Sequence, residues 1–304
     1  MSKIKLIFNP MSDRGRSGQK ASDLRAIVEE HGGADWVGTE YPMHAGELAA
    51  RAGLDGYDTV VAMGGDGTVH EVVNGLMRVA APHRPKLGVV PIGSGNDFAF
   101  GAGVSLDPNE AMKRVFTGTT KAVDIGSIRD NNNRLEYWNN TVGTGFDAKV
   151  NIMSRKMTSI YGFALYLTAT LRTIAQDYES AQEKLIFDDG EPIERSVLML
   201  TLGNGPREGG GFLTTPSSKV DDGTFEYAMI GHMGRAAILQ LLPQVMQGTH
   251  GKSKRVTMGT FKKLRVEADR ALPIHTDGEL WSPYEVNTRW FEIEMSPGAV
   301  QLLT

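Results

Sequence analysis

The stretch from residue 59 to residue 76, TVVAMGGDGTVHEVVNGL, constrains the fold most. Residues 59–63 have the length and β-branched content of one buried strand, and apolar residues recur at helical spacing from 69 to 76. A strand, a glycine turn and a helix in this order point backbone N–H groups and a helix N-terminus at an anion. We therefore expect a phosphate site, in which Thr68 caps the helix and binds a phosphate oxygen.

The acidic residues of the same region indicate a metal. A carboxylate at Asp66 would repel phosphate unless a cation stood between them. A second buried run, residues 87–92, leads into another glycine turn that ends in Asp97, and Asp124 ends a third run. Because such turns meet at the carboxyl edge of a parallel sheet, the three aspartates predict a Mg²⁺–nucleotide site. For GGDGT alone, a simple tight turn is the alternative interpretation.

Composition bounds the class of protein. A chain of 304 residues favours two domains, and 40% hydrophobic with 22% charged residues is typical of a globular protein with an ample core. The net charge of −4 argues against general nucleic-acid binding. The sequence has no cysteine, which excludes disulfides and agrees with a reducing cytoplasm.

Targeting patterns are also informative. The first eight residues lack the pattern of a signal peptide. The apolar run 160–171 is shorter than the roughly 20 residues that cross a bilayer. We therefore expect a cytoplasmic protein without a transmembrane segment.

The pattern of predicted secondary structure changes near residue 126. Before it, strands alternate with helices, which predicts a three-layer, mostly parallel α/β domain over residues 1–126. After it, short alternating runs separated by polar turns predict an antiparallel β-sandwich or barrel. We expect one helix inserted near 155–180 and another near 235–248.

Five motifs, GGDGT, GSGND, VDIG, DDGTF and DGE, follow one another along the chain. In this order they resemble the diacylglycerol kinase catalytic family, in its bacterial soluble lipid-kinase branch, which is related to sphingosine kinases and NAD kinases. The resemblance covers nearly the whole chain. It implies a Rossmann-like nucleotide-binding domain, like that of NAD kinases and phosphofructokinases, to which residues from about 296 to 304 return. It also implies that the β-sandwich, residues 127–295, receives the lipid substrate.

The resemblance further implies the reaction and its residues. ATP and Mg²⁺ would serve the phosphorylation of a lipid hydroxyl, most readily that of diacylglycerol. Asp66, Asp97 and Asp124 would act at the catalytic centre. The first turn departs from the family pattern NPxSG, since it reads NPMSD here. The nucleotide contacts implied are Asn9, Pro10, Met11, Ser12, Asp13, Thr39, Gly64, Gly65, Asp66, Gly67, Thr68, Glu71, Ser94 and Asn96.

Two loops of the second domain carry further implied roles. Residues 219–225 resemble a structural Mg²⁺ loop, in which Asp222 gives its carboxylate while Lys219 and Thr224 give backbone carbonyls. A metal-free hairpin turn is the alternative. In the DGE motif, Glu279 takes the place of the general base that a lipid hydroxyl needs. Asp277 would support the turn or a metal.

Other functions stay open at this point. The acceptor could be phosphatidylglycerol, a sphingoid base or NAD, although the SGND turn and the DDGTF loop weaken the NAD interpretation. A nucleotide-responsive lipid-binding protein without turnover is an alternative of another class. The resemblance favours a protein peripheral at the inner membrane surface, and a homodimer is compatible with it.

Overall fold

The computed structural model describes residues 2–12, 17–157, 160–283 and 286–304, and for 17–21 only the backbone. The chain divides into two compact units, Met1–Ile125 with Ser296–Thr304 and Gly126–Met295. The first is mixed α/β and the second is largely antiparallel β, so the predicted fold class is confirmed.

Parallel strands form the centre of the first unit. The sheet order is β2–β1–β3–β4, followed by the end of β15 (Trp290–Leu303), and every pair is parallel. The middle strand β3 is buried along its whole length, as expected for a strand covered on both faces. The elements are β1 (Ile4–Phe8), α1 (Ser17–Glu30), β2 (Asp35–Gly38), α2 (His44–Leu54), β3 (Thr59–Gly64), α3 (Asp66–Met77), a 3-10 helix (Ala81–His83), β4 (Lys86–Pro91), α4 (Asp97–Gly101) and α5 (Pro108–Thr117).

The helices of this unit pack in pairs and on the sheet. Helix α2 packs on α3 and α1 packs on α5, while α3 contacts β3 and α5 contacts β4. The crossing of α2 and α3 is close because it is lined by glycines. A Cβ on Gly75 would collide with the carbonyl oxygen of Gly46. Backbone therefore approaches backbone where α2 crosses the second half of α3.

Strand β5 (Thr120–Asp130) is longer than predicted. The sequence suggested that the run ends near residue 126, with Asp124 at its end. Instead the strand continues by pairing with β6 (Leu135–Trp138) from Gly126 to Arg129. Gly126 permits this because the ring of Trp138 occupies the space where a Cβ would lie. The expectation that Asp124 ends a strand is therefore wrong.

The second unit is an antiparallel β structure. One path runs β14–β13–β7–β9–β8–β12–β15, and β10 joins β9 on one side and β11 on the other. Strands β7, β13 and β14 were not predicted, because they are short or rich in glycine. The remaining strands are β7 (Thr141–Gly145), β8 (Ala181–Phe187), β9 (Ile193–Gly203), β10 (Phe225–Gly231), β11 (Val256–Phe261), β12 (Lys263–Ala268), β13 (Ile274–Thr276), β14 (Glu279–Ser282) and β15 (Trp290–Leu303).

Three helices and a short 3-10 turn (His250–Lys252) complete this unit, namely α6 (Phe146–Arg155), α7 (Gly162–Gln176) and α8 (Arg235–Met246). Helix α7 lies in the region predicted near 155–180 and α8 in that near 235–248, whereas α6 was not predicted. Helix α6 begins directly after Gly145, whose φ of 65° ends strand β7, and α7 begins at Gly162, whose φ is 57°. Within the described ranges, no helix has both the length and the apolar character needed to cross a bilayer.

The strands and helices of the second unit enclose two apolar cores. One is formed by the strands and contains the tilted rings of Trp138 and Phe225, whose centroids lie 4.4 Å apart. The other is formed by the helices against β9 and β10 and contains Phe146, Leu198 and Ile238. Helix α6 is therefore fixed by apolar contacts on one side, which leaves its polar side chains to face β7, β13 and β14.

Candidate active site

In the first unit, the glycine turns that follow β3 and β4 meet. A Cβ on Gly93 would collide with the Cα of Gly65, so the two turns touch through backbone alone. The amide nitrogen of Ile92 also donates to the carbonyl oxygen of Gly64 at 3.0 Å. Neighbouring parallel strands bring these turns together at one edge of the sheet. The surface that they form consists largely of backbone.

Two of the predicted carboxylates lie at this meeting point. Asp66 is the first residue of α3, and its Oδ1 accepts the N–H of Phe98 at 3.1 Å. A Cβ on Gly95 would lie 2.8 Å from Asp66 Oδ2 and 3.3 Å from Asp97 Oδ2. Both carboxylates therefore flank the same glycine, and Asp97 is only 5% exposed. Carboxylate oxygens in such a pair are ligands that Mg²⁺ accepts.

Asp124 lies on strand β5, whereas Asp66 and Asp97 begin helices α3 and α4. It is buried within β5, and its Oδ1 accepts the N–H of Gly298 at 2.7 Å. This bond ties the returning C-terminal segment to the first unit. A structural contact thus accounts for part of the acceptor capacity of Asp124.

Thr68 does not cap helix α3. The helix begins at Asp66 with Gly65 as its N-cap, so Thr68 already lies inside the first turn. Its Oγ1 accepts a hydrogen bond from Asn9 Nδ2 at 3.0 Å. Asn9 Oδ1 in turn accepts the N–H of Met11 at 2.9 Å. The capping prediction is wrong, and the pair Asn9–Thr68 instead joins the turn after β1 to the start of α3.

The other implied nucleotide contacts are spread around these turns. Asn96 has a φ of 54° and donates to the carbonyl oxygen of Gly93 at 3.0 Å. Glu71 accepts the N–H groups of Met43 (2.9 Å) and Ala45 (3.0 Å), so its carboxylate holds the start of α2. Asp13 lies outside the described residues. Of the rest, Ser12 is buried, Pro10, Thr39, Gly64, Gly65 and Gly67 are buried or half-buried, and Met11 and Ser94 are exposed.

In the second unit, Asp277 and Gly278 form the tight hairpin between β13 and β14. Thr276 pairs directly with Glu279, so the loop has two residues. Their φ angles are 49° and 83°, as a two-residue hairpin of type I′ requires. Asp-Gly is a preferred sequence for this turn. The hairpin places Glu279 at its exit, with an exposed side chain.

The Asp277 carboxylate anchors this hairpin. Its Oδ2 accepts the N–H of Asn139 at 3.0 Å, and its Oδ1 accepts those of Asn140 (2.8 Å) and Thr141 (3.0 Å). The residue is only 7% exposed. Asp277 thus supports the turn, as one of the two sequence interpretations expected.

Helix α6 holds the same hairpin from the other side. Asn151 Nδ2 donates to the carbonyl oxygen of Gly278 at 2.6 Å, and Arg155 Nη2 donates to it at 2.9 Å. Arg155 also donates to Glu279 Oε2 at 2.7 Å. Since both ionic side chains are about half exposed, this pair adds little stability. Its consequence is to orient the Glu279 carboxylate.

A third group of polar side chains was not predicted as a site. His275 Nε2 lies 3.6 Å from Asp147 Oδ1 and 4.0 Å from Glu208 Oε2. These are the types of donor atom that bind a transition metal. The sequence did carry one signal, because Asp147, Asn151 and Arg155 are spaced four apart and share one face of α6. That stripe faces the hairpin.

The DDGTF loop shows turn chemistry. Asp222 Oδ1 accepts both the N–H and the hydroxyl of Thr224 at 3.0 Å, and Gly223 has a φ of 72°. Asp222 and Lys219 are exposed. The hard oxygen donors of this loop suit Mg²⁺, although one carboxylate oxygen already stabilises the turn.

Comparison with known proteins assigns the chain to a family. Residues 3–128 match the model of the diacylglycerol kinase catalytic domain, and residues 140–304 match that of the YegS C-terminal NAD kinase beta sandwich-like domain. The chain belongs to this diacylglycerol kinase family. The predicted family and the predicted enzyme class, a kinase, are therefore confirmed.

Individual relatives agree with this assignment. A YegS-like lipid kinase of Chromohalobacter salexigens is 35% identical over 76% of this chain and 73% of its own length. A diacylglycerol kinase of Mycobacterium tuberculosis is 30% identical over 100% of this chain and 95% of its own.

Solved structures share the fold. A diacylglycerol kinase from Bacillus anthracis superposes with a TM-score of 0.72 at 22% identity, over 99% of this chain and 96% of that one. An NAD kinase from Archaeoglobus fulgidus superposes with a TM-score of 0.54 at 11% identity, over 99% of this chain and 93% of that one. The predicted similarity to the NAD kinase fold is confirmed.

Proposed function

We propose that the protein is an ATP- and Mg²⁺-dependent lipid kinase that converts diacylglycerol to phosphatidic acid. The kinase family and the names of the lipid-kinase relatives support this proposal. One observation carries it, namely that Asp66 and Asp97 flank Gly95 where two glycine turns meet. A site for a bare anion would not place two carboxylates there.

The first unit binds the nucleotide in this proposal. The backbone N–H groups at the start of α3 and the side chains of Asn9 and Thr68 lie around the phosphates. Asp66 and Asp97, with Asp124 as the third candidate, hold Mg²⁺. The metal neutralises phosphate charge when it is bound.

The second unit receives the lipid. The acceptor hydroxyl loses its proton to the Glu279 carboxylate as its oxygen forms a bond to the γ-phosphorus of ATP. The bond from that phosphorus to the β,γ-bridging oxygen breaks, and ADP leaves with the electron pair. Arg155 orients the base, and the Asp277–Gly278 hairpin fixes its place.

The test is incubation of the purified protein with γ-labelled ATP, Mg²⁺ and mixed micelles of single lipids. The panel contains diacylglycerol, phosphatidylglycerol and a sphingoid base, and NAD is a separate acceptor. We expect label in diacylglycerol, and loss of at least 100-fold in kcat for Glu279→Gln and for Asp97→Asn. The exposed Glu194→Gln serves as the matched control.

Each other outcome corrects a stated part of the proposal. Label in NAD alone would retain the nucleotide site and remove the lipid acceptor. Label in another lipid would change the substrate. Binding of ATP without any transfer would favour the lipid-binding protein without turnover. Full activity of either variant would remove that residue from the mechanism.

We also propose that the DDGTF loop holds a structural Mg²⁺ through Asp222 and the backbone carbonyls of Lys219 and Thr224. Midpoints of thermal unfolding, measured in Mg²⁺ and in chelator, test this role. Wild type should gain stability from Mg²⁺, and Asp222→Asn should gain less. Equal gains would leave the loop as a turn only.

The remaining expectations concern location and assembly. Lys252, Lys254 and Arg255 are exposed cations close together in the chain, and each adds about 1 kcal/mol to binding if it lies near an anionic bilayer. We propose that the protein is cytoplasmic and binds the inner membrane surface peripherally. Flotation with phosphatidylglycerol vesicles, compared with neutral vesicles, tests the binding. Light scattering after size exclusion tests whether it is a homodimer.

A further inference from the structure

His275 is a buried titratable side chain that the proposed reaction does not use. It lies on β13, two residues before the Asp277–Gly278 hairpin, and its side chain is 5% exposed. Its ring nitrogens point in opposite directions, so each can be assigned a partner from the structure.

The Nδ1 atom faces the backbone of the hairpin. The N–H of Gly278 donates to His275 Nδ1 at 3.3 Å. An amide N–H can only donate, so Nδ1 must be the unprotonated nitrogen of a neutral imidazole. The ring hydrogen then lies on Nε2. A side chain that accepts from an N–H three residues later holds a turn, as Asn and Asp do in other loops.

The Nε2 atom faces two carboxylates. Asp147 Oδ1 lies 3.6 Å away and Glu208 Oε2 lies 4.0 Å away. Negative groups on this side favour the tautomer with hydrogen on Nε2. The Asp147 carboxylate is itself fixed, because the Thr201 hydroxyl donates to its Oδ2 at 2.6 Å.

Gly143 makes room for this arrangement. A Cβ at that position would collide with both Asp147 Oδ2 and His275 Nε2. The carboxylate and the ring therefore close over strand β7 only because residue 143 is a glycine.

Asp147, Glu208 and His275 together have the donor types of a metal site, but the hydrogen bond from the Gly278 N–H to His275 Nδ1 argues against a bound metal. A metal on Nε2 would require the hydrogen on Nδ1. That hydrogen would point at the N–H of Gly278, and two donors would face each other. The geometry instead fits a hydrogen-bonded imidazole.

We infer that His275 is a positioning residue for phosphoryl transfer, because it holds the N–H of Gly278 and thereby the place of Glu279. Asp147 and Thr201 select the tautomer that this task needs. The inference rests on the proposed role of Glu279 as the base. A misplaced base slows the chemical step and does not weaken lipid binding, so kcat falls while KM stays.

Two amide substitutions separate the functions of the two nitrogens. In His275→Asn, the amide oxygen takes the place of Nδ1 and can accept from Gly278. In His275→Gln, the amide reaches the place of Nε2 and nothing replaces Nδ1. We expect kcat of the Asn variant within about threefold of wild type, and a loss of about 10- to 100-fold in the Gln variant, with KM changed less than twofold in both. Equal loss in both variants would overturn the inference.

Two further measurements separate this inference from the proposed function. Hydrogen exchange of the Gly278 amide, followed by NMR, needs no activity. It should be slow in wild type and His275→Asn and fast in His275→Gln, and equal rates would overturn the inference even if the protein is a kinase. In a Glu279→Gln background, His275→Gln should reduce kcat no further. Binding of one Zn²⁺ or Mn²⁺ that both variants abolish would replace the positioning role with a metal site.

Discussion

Two buried carboxylates of the second unit differ in what surrounds them. Asp277 is 7% exposed and accepts three backbone N–H groups. Glu183, on β8, is 3% exposed, and among the described residues its Oε2 has no hydrogen-bond partner. Burial and, to a smaller extent, the charge of Asp269 together raise the pKa of Glu183 to about 8. Burial alone therefore does not decide what a carboxylate does, since the donors around it matter as much.

The largest change in stability should come from the ionisation of Glu183 as pH rises. Its pKa rises from 4.5 to about 8 on folding, so between these values the folded state keeps a proton that the unfolded state has lost. Stability therefore falls as pH rises from 4.5 to 8, by roughly 4–5 kcal/mol at about 1.4 kcal/mol for each tenfold change. Glu183→Gln should remove this slope and stabilise the protein at pH 8, as urea unfolding from pH 5 to 9 would show.

The matched control for this series is Glu194→Gln, on the exposed side of β9. It should change the unfolding free energy by less than about 0.5 kcal/mol at every pH. An unchanged slope in Glu183→Gln would mean that another group titrates in this range.

The same amide substitution at Asp277 should have the opposite sign. Asp277→Asn weakens two charge-assisted bonds and turns an amide N–H group toward the N–H of Asn139. We expect a loss of about 2–3 kcal/mol in the unfolding free energy at pH 7. Asp222→Asn, in the exposed DDGTF turn and without added metal, should lose less than about 1 kcal/mol. If Asp277→Asn instead stabilised the protein, the contrast drawn between Asp277 and Glu183 would be wrong.

Alanine substitutions at two turn glycines should cost less stability than Asp277→Asn, and they compare the Asp277–Gly278 hairpin with the DDGTF turn. Gly278 and Gly223 have φ angles of 83° and 72°, so alanine is strained at both positions by about 1–2 kcal/mol. Denaturation midpoints of Gly278→Ala and Gly223→Ala should therefore fall by similar amounts. Only Gly278→Ala should also lower kcat, because only that turn carries Glu279. Equal kcat values in the two variants would show that the hairpin does not contribute to the reaction.

The smallest change in the pH dependence of stability is expected from Glu226, whose surroundings are intermediate between those of Glu183 and Asp277. It is 8% exposed, and burial raises its pKa, but the N–H of Ser217 (2.8 Å) and the hydroxyl of Ser218 (3.4 Å) lower it. Its contribution to stability falls as pH rises, as for Glu183, but over a narrower range. The pH slope of Glu226→Gln, measured by urea unfolding, should differ from wild type by less than that of Glu183→Gln. A larger difference would show that these donors count for little.

Much of the fold was accessible from the sequence because its signals are local. The β-branched run before GGDGT and the amphipathic run after it specify β3 and α3. Strand β7 reads Thr-Val-Gly-Thr-Gly, and such a strand owes its place to neighbours in the sheet. Helix α7 was predicted from its long apolar run, whereas α6, which follows a glycine-rich stretch and carries many polar residues, was missed.

The positions of some site residues could likewise be predicted, because they lie in local sequence motifs. Asp66, Asp97 and Glu279 stand in motifs, so their positions were predictable, while their catalytic roles remain proposals. The contacts of His275 with Asp147 and of Arg155 with Glu279 join residues more than a hundred positions apart in the chain. No local pattern encodes them, apart from the polar stripe on α6.

Strand β15 has a consequence for synthesis. Its last residues belong to the first unit, where Leu302 pairs with Leu87 and the N–H of Gly298 binds Asp124. During synthesis, the sheet of that unit is therefore completed only after residues 296–304 have been made, and the edge of β4 stays open while the second unit emerges. Long-range pairing of this kind folds slowly. An unfinished chain would present an open strand edge, which is where chaperones and aggregation act.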